Sequence, residues 1–345
     1  MLSKIRLILF PFSFLYACIT GIRNLLYDYG FLRTESFNIP LINVGNLSLG
    51  GTGKTPQIEY LIRLLSEKYE HIAVVSRGYK RKTKGIILAD EKSTPEQIGD
   101  EPYQIYQKFQ NILVAVSKKR VPAIKKLLNL DNSPDIILLD DAFQHRSIKA
   151  SLNILLTEYA RPFYKDFILP VGNLRECRSG TKRADIIIVS KCPNDLSKNE
   201  QEKIKNKIKN YTAAKVFFSY IKYDEKVLGK NKQLSMNKLS EYKILLVTGI
   251  ANPDKLYEFL SKKNINFESL KYGDHHFFKP SDIREIKKKF KQIDAKQKIV
   301  LTTEKDFVRL KEHLDLPLYY IPIETEFIEK ELFNKKILDY DHSIK

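Results

Sequence analysis

The chain has 345 residues, of which 43% are hydrophobic and 11% aromatic; that is enough for about two domains and too apolar for a mainly disordered chain. Fourteen Gly and fourteen Pro exclude collagen-like or low-complexity sequence, and three scattered cysteines, Cys18, Cys177 and Cys192, exclude a disulfide framework and point to a reducing compartment. With 59 Lys+Arg against 41 Asp+Glu the net charge is +18, which suits a polyanionic partner (nucleic acid, an anionic membrane surface or a phosphorylated substrate) and says nothing about the fold.

The first element is apolar. Leu7–Ile22 reads LILFPFSFLYACITGI, sixteen uncharged residues between Arg6 and Arg23. As a helix it would reach about 24 Å at 1.5 Å per residue, short of the roughly 30 Å hydrocarbon core. Pro11 would interrupt it, and no small-x-small cleavage site of a signal peptide follows. Aromatics and flanking arginines suit a segment lying in a membrane interface; a buried core helix is the alternative.

From residue 39 short apolar runs alternate with Lys-rich helical stretches. The runs Ile39–Val44, Ile72–Val75, Ile112–Val116, Ile136–Leu139, Leu152–Leu156 and Ile186–Val189 are continuous, as expected of strands covered on both faces. Gln57–Tyr69 carries a helical apolar stripe. Strand and helix alternating in this way predict a doubly wound, mostly parallel sheet. Around residues 196–215 the composition turns polar and charged, and a domain boundary is expected near 195–225; one large domain with a solvated surface helix is the alternative. Beyond the run Ala214–Ile221, further strands at Ile244–Val247 and Ile299–Thr303, with a helix around Ile283–Phe290, predict a smaller α/β domain. The expected division is 1–35 as an apolar membrane-associating segment, 36–215 as the core domain and 216–345 as the second domain.

The first strand runs into NVGNLSLGGTGKTPQ, residues 43–57. Gly50, Gly51 and Gly53 before Lys54 and Thr55 form a phosphate-binding loop: backbone N–H groups of Ser48, Leu49, Gly50, Gly51, Thr52, Gly53, Lys54 and Thr55 can face phosphate oxygens at the positive end of the next helix. Lys54 would reach the β- and γ-phosphates of ATP and Thr55 would hold Mg²⁺. The strict pattern wants Gly at Ser48. Ile136–Leu139 ends in Asp140 and Asp141, where a metal-orienting acid is expected beside the ligand crevice. Taken alone, Asp100 in GDEP reads first as a helix N-cap, with a general base as the second reading. Arg77, Arg120, Arg146 and Arg175 suit phosphate oxygens.

The set GGTGKTP (50–56), SRGYK (76–80), GDEP (99–102), DDAFQHR (140–146), LPVGNLRE (169–176), DHHFF (274–278) and TTEKD (302–306) resembles the tetraacyldisaccharide 4'-kinase family over nearly the whole chain. The resemblance implies a P-loop-type α/β fold with a second, smaller α/β domain. It implies transfer of the ATP γ-phosphoryl group to the 4'-hydroxyl of a tetraacyl disaccharide 1-phosphate, in lipid A biosynthesis, at the cytoplasmic face of the inner membrane. It also assigns residues. Lys54, Asp100 and a histidine, His275 or His276, match its catalytic groups; Arg120, taken from guanidinium chemistry and not from the resemblance, is expected to join them. Thr55, Asp140, Asp141 and Glu176 become the magnesium set. Apart from the resemblance, Arg77, Gln144, His145 and Arg175 are expected to face the acceptor, the lipid A disaccharide precursor, the arginines because guanidinium groups suit phosphate oxygens. Where the family usually has Pro before Leu-Arg-Glu, this chain has Asn173. The expected partners are that precursor and an anionic membrane surface, with no nucleic acid and a monomeric chain. Competing readings are a P-loop ATPase or synthase with a soluble acceptor, and a basic nucleic-acid-binding protein, for which no zinc-finger, helix-turn-helix or RNP signature is present.

Overall fold

The computed structural model describes residues 8–230, 232–274 and 276–340. In chain order the strands are β1 (Leu41–Asn46), β2 (Ile72–Ser76), β3 (Ile87–Leu88), β4 (Ile112–Val116), β5 (Ile136–Asp140), β6 (Leu152–Glu158), β7 (Ile186–Ser190), β8 (Lys215–Tyr223), β9 (Lys226–Gly229), β10 (Gln233–Ser235), β11 (Lys243–Thr248), β12 (Phe267–Lys271), β13 (Lys298–Thr303), β14 (Leu318–Ile321) and β15 (Ile323–Phe327). They form a nine-stranded sheet in the order β15-β8-β7-β6-β1-β5-β2-β4-β3 and a six-stranded sheet in the order β10-β9-β14-β13-β11-β12. In the larger sheet β1 runs parallel to both β5 and β6. The chain winds out from β1 in one direction and returns to its other side with β6, so the carboxyl end of β1 lies at the switch point where open α/β sheets bind ligands.

The central strands β1, β2, β5 and β7 are buried at every position, which explains their unbroken apolar runs. Gly45 is an exception with a purpose: a Cβ there would meet the Phe143 Cβ at 2.6 Å, so only glycine lets the turn after β5 lie against β1.

The chain divides into two units, one comprising residues up to Ile221 and from Thr325 onward, the other Lys222–Glu324. The break after Ile221 falls within the expected 195–225, whereas residues from Thr325 onward, expected in the second domain, belong to the first unit. The reason is aromatic packing in the first unit. Phe327 stacks on Phe333 at 3.8 Å, Phe333 meets Phe217 edge-on at 5.1 Å, and the Tyr60 hydroxyl donates to Asn334 at 2.6 Å. Burying each such ring stabilises the fold by about 1.5–3 kcal/mol. The second unit has its own core around Leu246, Leu260, Leu301 and Ile321. Its sheet is parallel through β12, β11, β13 and β14, with β9 and β10 added antiparallel.

The N-terminal helix spans Phe10–Asp28. Pro11 does not interrupt it. Pro11 lies in the first turn, where its missing N–H costs nothing, and the helix ends in a turn through Gly30 at φ +77°. Its buried residues are Ser13 and Thr20, while Phe12, Phe14, Leu15, Ile19 and Ile22 are exposed, Phe14 to 74%. The helix is thus polar on the inside, which rules out the core-helix alternative. No described helix is long and apolar enough to cross a membrane.

Candidate active site

The loop after β1 is built for an anion. Gly53, at φ +86°, precedes the helix Lys54–Leu65, and Gly50 has φ +108°. A Cβ added at Gly50, Gly51 or Gly53 would meet nothing within 4 Å, so the loop borders open space on the side where the helix begins. The loop is braced from behind. Asn46 Nδ2 donates to Thr52 Oγ1 at 2.9 Å, and the Leu49 N–H to the Asn173 carbonyl at 2.8 Å. Ser48 bridges to Leu174. Asn173 itself donates through its backbone N–H and its amide to the two oxygens of Asp166, at 3.2 and 3.1 Å. That double tether rigidifies the loop at Asn173.

Lys54 Nζ lies 3.6 Å from Asp141 Oδ1. Asp141 sits at φ +48°, directly after β5, with its N–H bonded to the Val44 carbonyl at 3.0 Å. Burial would raise its pKa, but Lys54 and Arg175 outweigh burial and hold it below the usual carboxylate range. Asp140 behaves oppositely. It is buried, and burial first, then the charges of Glu101 and Asp141, push its pKa upward. Ser76 Oγ donates to its Oδ2 at 2.8 Å, while its Oδ1 is buried without a hydrogen-bond partner. Such an orphaned oxygen carries a full desolvation cost, which a bound cation or its water would remove. Asp140, Asp141 and the Thr55 hydroxyl offer hard oxygen donors of the kind that would hold Mg²⁺.

Arg175 grips Asp141 with both guanidinium ends, at 3.0 and 3.2 Å, and also donates to Asn46 Oδ1 at 2.6 Å and Gln144 Oε1 at 3.3 Å. Gln144 Nε2 donates to the Asn46 carbonyl at 2.9 Å and to Glu176 Oε1 at 3.0 Å. Arg175 and Gln144, expected to face the acceptor, are thus both committed to holding Asp141 and the phosphate loop.

Glu176, expected among the magnesium ligands, is 1% exposed. Arg183 donates to both of its oxygens at 2.8 and 2.9 Å, and Asn24 Nδ2 to Oε2 at 2.9 Å. With its lone pairs filled by three side chains, it anchors the N-terminal helix and gives the metal set no ligand. Further polar contacts run along the same helix: Tyr16 Oη to the Arg175 carbonyl at 3.1 Å, Ser13 Oγ to the Ile168 carbonyl at 3.1 Å, and Arg146 to Asp28 at 2.6 Å.

Asp100 opens the helix Asp100–Lys108, whose N-cap is Gly99. The capping alternative for Asp100 therefore fails, since the capping position belongs to its neighbour. Gly99 at φ +94° lies against Gly78, and a Cβ on it would meet the Gly78 Cα at 3.1 Å. This close approach brings the exposed Arg77 of SRGYK beside the start of that helix.

Arg120, expected to touch the transferred phosphoryl group, is 1% exposed. It donates to the carbonyls of Ser117, Lys118 and Asp140 at 3.2, 3.3 and 3.4 Å, and to His145 Nε2 at 3.3 Å. It stands behind the Asp140 turn and is a positioning residue. Because guanidinium only donates, His145 Nε2 accepts, and the ring is neutral with its proton on Nδ1. Burial first, then Arg120, Arg77 and Arg23, depress the His145 pKa to about 4.

In the second unit His275 lies outside the described residues. His276 is held by Asp282, Nε2 to Oδ2 at 2.8 Å, and stacks on Tyr272 at 4.8 Å. Nearby Asp306, buried at the carboxyl end of β13, accepts from the Gly249 N–H at 2.8 Å and from Thr303 Oγ1 at 2.8 Å. Asp282 and Asp306 were not singled out from the sequence; TTEKD is the motif that could have flagged the second.

Residues 5–340 match the model of the family described as tetraacyldisaccharide-1-P 4'-kinase. The chain belongs to that family. It is 54% identical to the tetraacyldisaccharide 4'-kinase of Flavobacterium psychrophilum over 99% of this chain and 98% of that one, and 42% identical to that of Bacteroides thetaiotaomicron over 98% and 93%. Its fold resembles the crystal structure of LpxK from Aquifex aeolicus in complex with ATP, with a TM-score of 0.78, 29% identity and coverage of 98% of this chain and 100% of that one. In this chain the phosphate loop and the acidic turn are local motifs. Of the residues that brace them, Asn46 and Ser76 lie within the stretches NVGNLSLGGTGKTPQ and SRGYK, whereas Asn24 and Arg183, which hold Glu176, carry no motif of their own.

Proposed function

We propose that this chain is an ATP-dependent kinase that phosphorylates the 4'-hydroxyl of a tetraacyl disaccharide 1-phosphate, the lipid A precursor. The observation that carries the reading is the convergence of Lys54, Asp140, Asp141 and an open glycine loop at the switch point of the large sheet. Phosphoryl transfer needs positioning and charge neutralisation above all. Lys54, released from Asp141, meets the β- and γ-phosphates. Loop N–H groups hold the remaining oxygens. Thr55, Asp140 and Asp141 would hold Mg²⁺, which neutralises phosphate charge when bound.

Asp100 is the acceptor's base in this reading. A carboxylate within reach of a sugar hydroxyl takes its proton as the oxygen attacks, a contribution of about 10²–10⁴-fold. The pairing of Asp100 with His275 or His276 stays an expectation of the DHHFF motif. Arg77, exposed beside that helix, suits the acceptor's anionic groups.

The N-terminal helix supports a lipid acceptor. Its exposed apolar face continues onto Phe167, which Phe10 meets edge-on at 5.9 Å, and Phe31 is 79% exposed. A contiguous apolar surface of this kind, on a basic protein, suits the interface of an anionic membrane. The polar inner face ties the helix to Glu176 and Arg146, so docking in lipid would hold the catalytic turn at the headgroup level, on the cytoplasmic side where ATP is available.

The test is transfer of ³²P from γ-labelled ATP to a tetraacyl disaccharide 1-phosphate in detergent micelles. Wild type should label the lipid and Lys54→Ala should lose most of that activity, since the γ-phosphate loses its cation. Label released only as free phosphate would favour the soluble ATPase reading.

A further inference from the structure

The strand β7 ends at Ser190, and Lys191 follows it at φ +57°. A left-handed backbone is uncommon for a lysine and costs free energy unless its surroundings hold it. Two interactions hold it here. Lys191 Nζ donates to the Gly51 carbonyl, and it pairs with Glu158 Oε1 at 3.1 Å at the end of β6. Next to it, the buried Ser190 hydroxyl donates to the Thr52 carbonyl at 2.7 Å. Two successive carbonyls of the phosphate loop are therefore pinned from the same strand end.

We infer that Ser190 and Lys191 are positioning residues of the nucleotide site, setting the direction of the phosphate-loop amides. In a planar trans peptide the N–H points opposite to the preceding C=O. Pinning the Thr52 carbonyl towards β7 turns the Gly53 N–H away from β7. Pinning the Gly51 carbonyl turns the Thr52 N–H the other way, where the Gly50 carbonyl receives it at 3.0 Å. The Gly51 and Thr52 carbonyls are thus fixed before any anion arrives, and the Thr52 N–H, expected on a phosphate oxygen, is instead held within the loop by Gly50. Glu158 completes the device: it holds the ammonium at the loop, and its own pKa is kept low by Lys191 and Arg161 against the opposing effect of burial.

The inference rests on the nucleotide reading above, and the experiment separates the two. ATP affinity is measured by calorimetry for the full-length wild type, Lys191→Met, Lys191→Arg and Ser190→Ala, together with melting in the absence of nucleotide and steady-state kinetics. The expected result is a loss of ATP affinity of roughly tenfold or more in Lys191→Met, the scale of a charge-assisted hydrogen bond. Lys191→Arg should recover part of it. Ser190→Ala, which removes one hydroxyl and leaves the chain able to fold, should weaken ATP several-fold. Nucleotide-free melting and the KM for the lipid should stay near wild type, with the KM for ATP rising more than kcat falls. Wild-type affinity in both Lys191→Met and Ser190→Ala overturns the inference. So does a drop in nucleotide-free melting that Lys191→Arg leaves uncorrected, which marks a purely structural role. A wild type that fails to bind ATP overturns the nucleotide reading itself.

Discussion

Arg175 holds Asp141 through two parallel hydrogen bonds, 3.0 and 3.2 Å long, while Lys54 stands 3.6 Å from the same carboxylate. Asp141 is thereby fixed in a strained left-handed backbone, at φ +48°, with two cations competing for it. When phosphates draw Lys54 away, Arg175 keeps the carboxylate in place.

Arg175→Lys keeps a positive charge and loses the planar fork that fits a carboxylate. The expected outcome is a fall in kcat of about tenfold, with a smaller change in the KM for ATP, since Lys54 and the loop remain. Arg175→Ala should fall further. Unchanged kcat in both variants contradicts the role given to this pair.

Burial first, then the charges of Glu101 and Asp141, push the Asp140 carboxyl well above the usual carboxylate range. The folded protein therefore keeps a proton that the unfolded chain releases near pH 4. Stability of the metal-free protein should fall as pH rises from the carboxylate range through the raised value of Asp140. Mg²⁺ must displace that proton, so its apparent affinity in the presence of ATP should rise over the upper part of this range and level off above it. Ser76→Ala removes a hydrogen bond to the ionised form and should move the profile to higher pH. A magnesium requirement independent of pH between 6 and 8 would count against Asp140 as part of the metal site.

His145 gives the opposite sign. Its folded pKa of about 4 lies below the ordinary 6.5, so the unfolded chain takes up a proton first. The stability it supports is complete above about 6.5 and is lost as pH falls towards about 4. His145→Gln cannot charge and can still accept from Arg120. The urea midpoints of wild type and variant should diverge below pH 6.5, with wild type losing more. Parallel curves would show that the ring is not held neutral.

Glu176→Ala strands the Arg183 guanidinium and frees Asn24. Breaking a buried ion pair costs about 3–5 kcal/mol, and the N-terminal helix should become the first site of proteolysis. Thermal melting and limited digestion check this. A variant that melts like wild type would remove Glu176 from the anchor.

Much of this was legible in the sequence where the determinants are local. Ile112–Val116 is both the apolar run and the strand, because a strand buried on both sides leaves an unbroken hydrophobic signature. The phosphate loop and Asp140–Asp141 were legible for the same reason. Strand β12, FESLK, was not: it is an edge strand with no fully buried residue, and its composition resembles a surface loop. The Arg175–Asp141 and Glu176–Arg183 pairs could not be read, since they depend on how separate loops meet. Arg120 shows a second limit: an arginine beside carboxylates has the same sequence signature whether it faces a ligand or lies buried behind a turn.

Phe14→Ser and Ile22→Ser remove exposed apolar side chains while leaving the polar inner face intact. Each side chain buried in lipid is worth about 1.5–3 kcal/mol, so the double variant should melt like wild type yet float poorly with anionic liposomes. Its activity on the lipid should fall more than its ATP affinity. Undiminished flotation would place the membrane contact elsewhere.

The central claim is the position of the new phosphate. Wild-type protein incubated with ATP, Mg²⁺ and a tetraacyl disaccharide 1-phosphate should give a product with two phosphomonoesters by ³¹P NMR, the second coupled to the proton at the 4' carbon. Asp100→Ala and Lys54→Ala should yield little of it while remaining folded. A product phosphorylated at another hydroxyl, or on the existing 1-phosphate, would contradict the account.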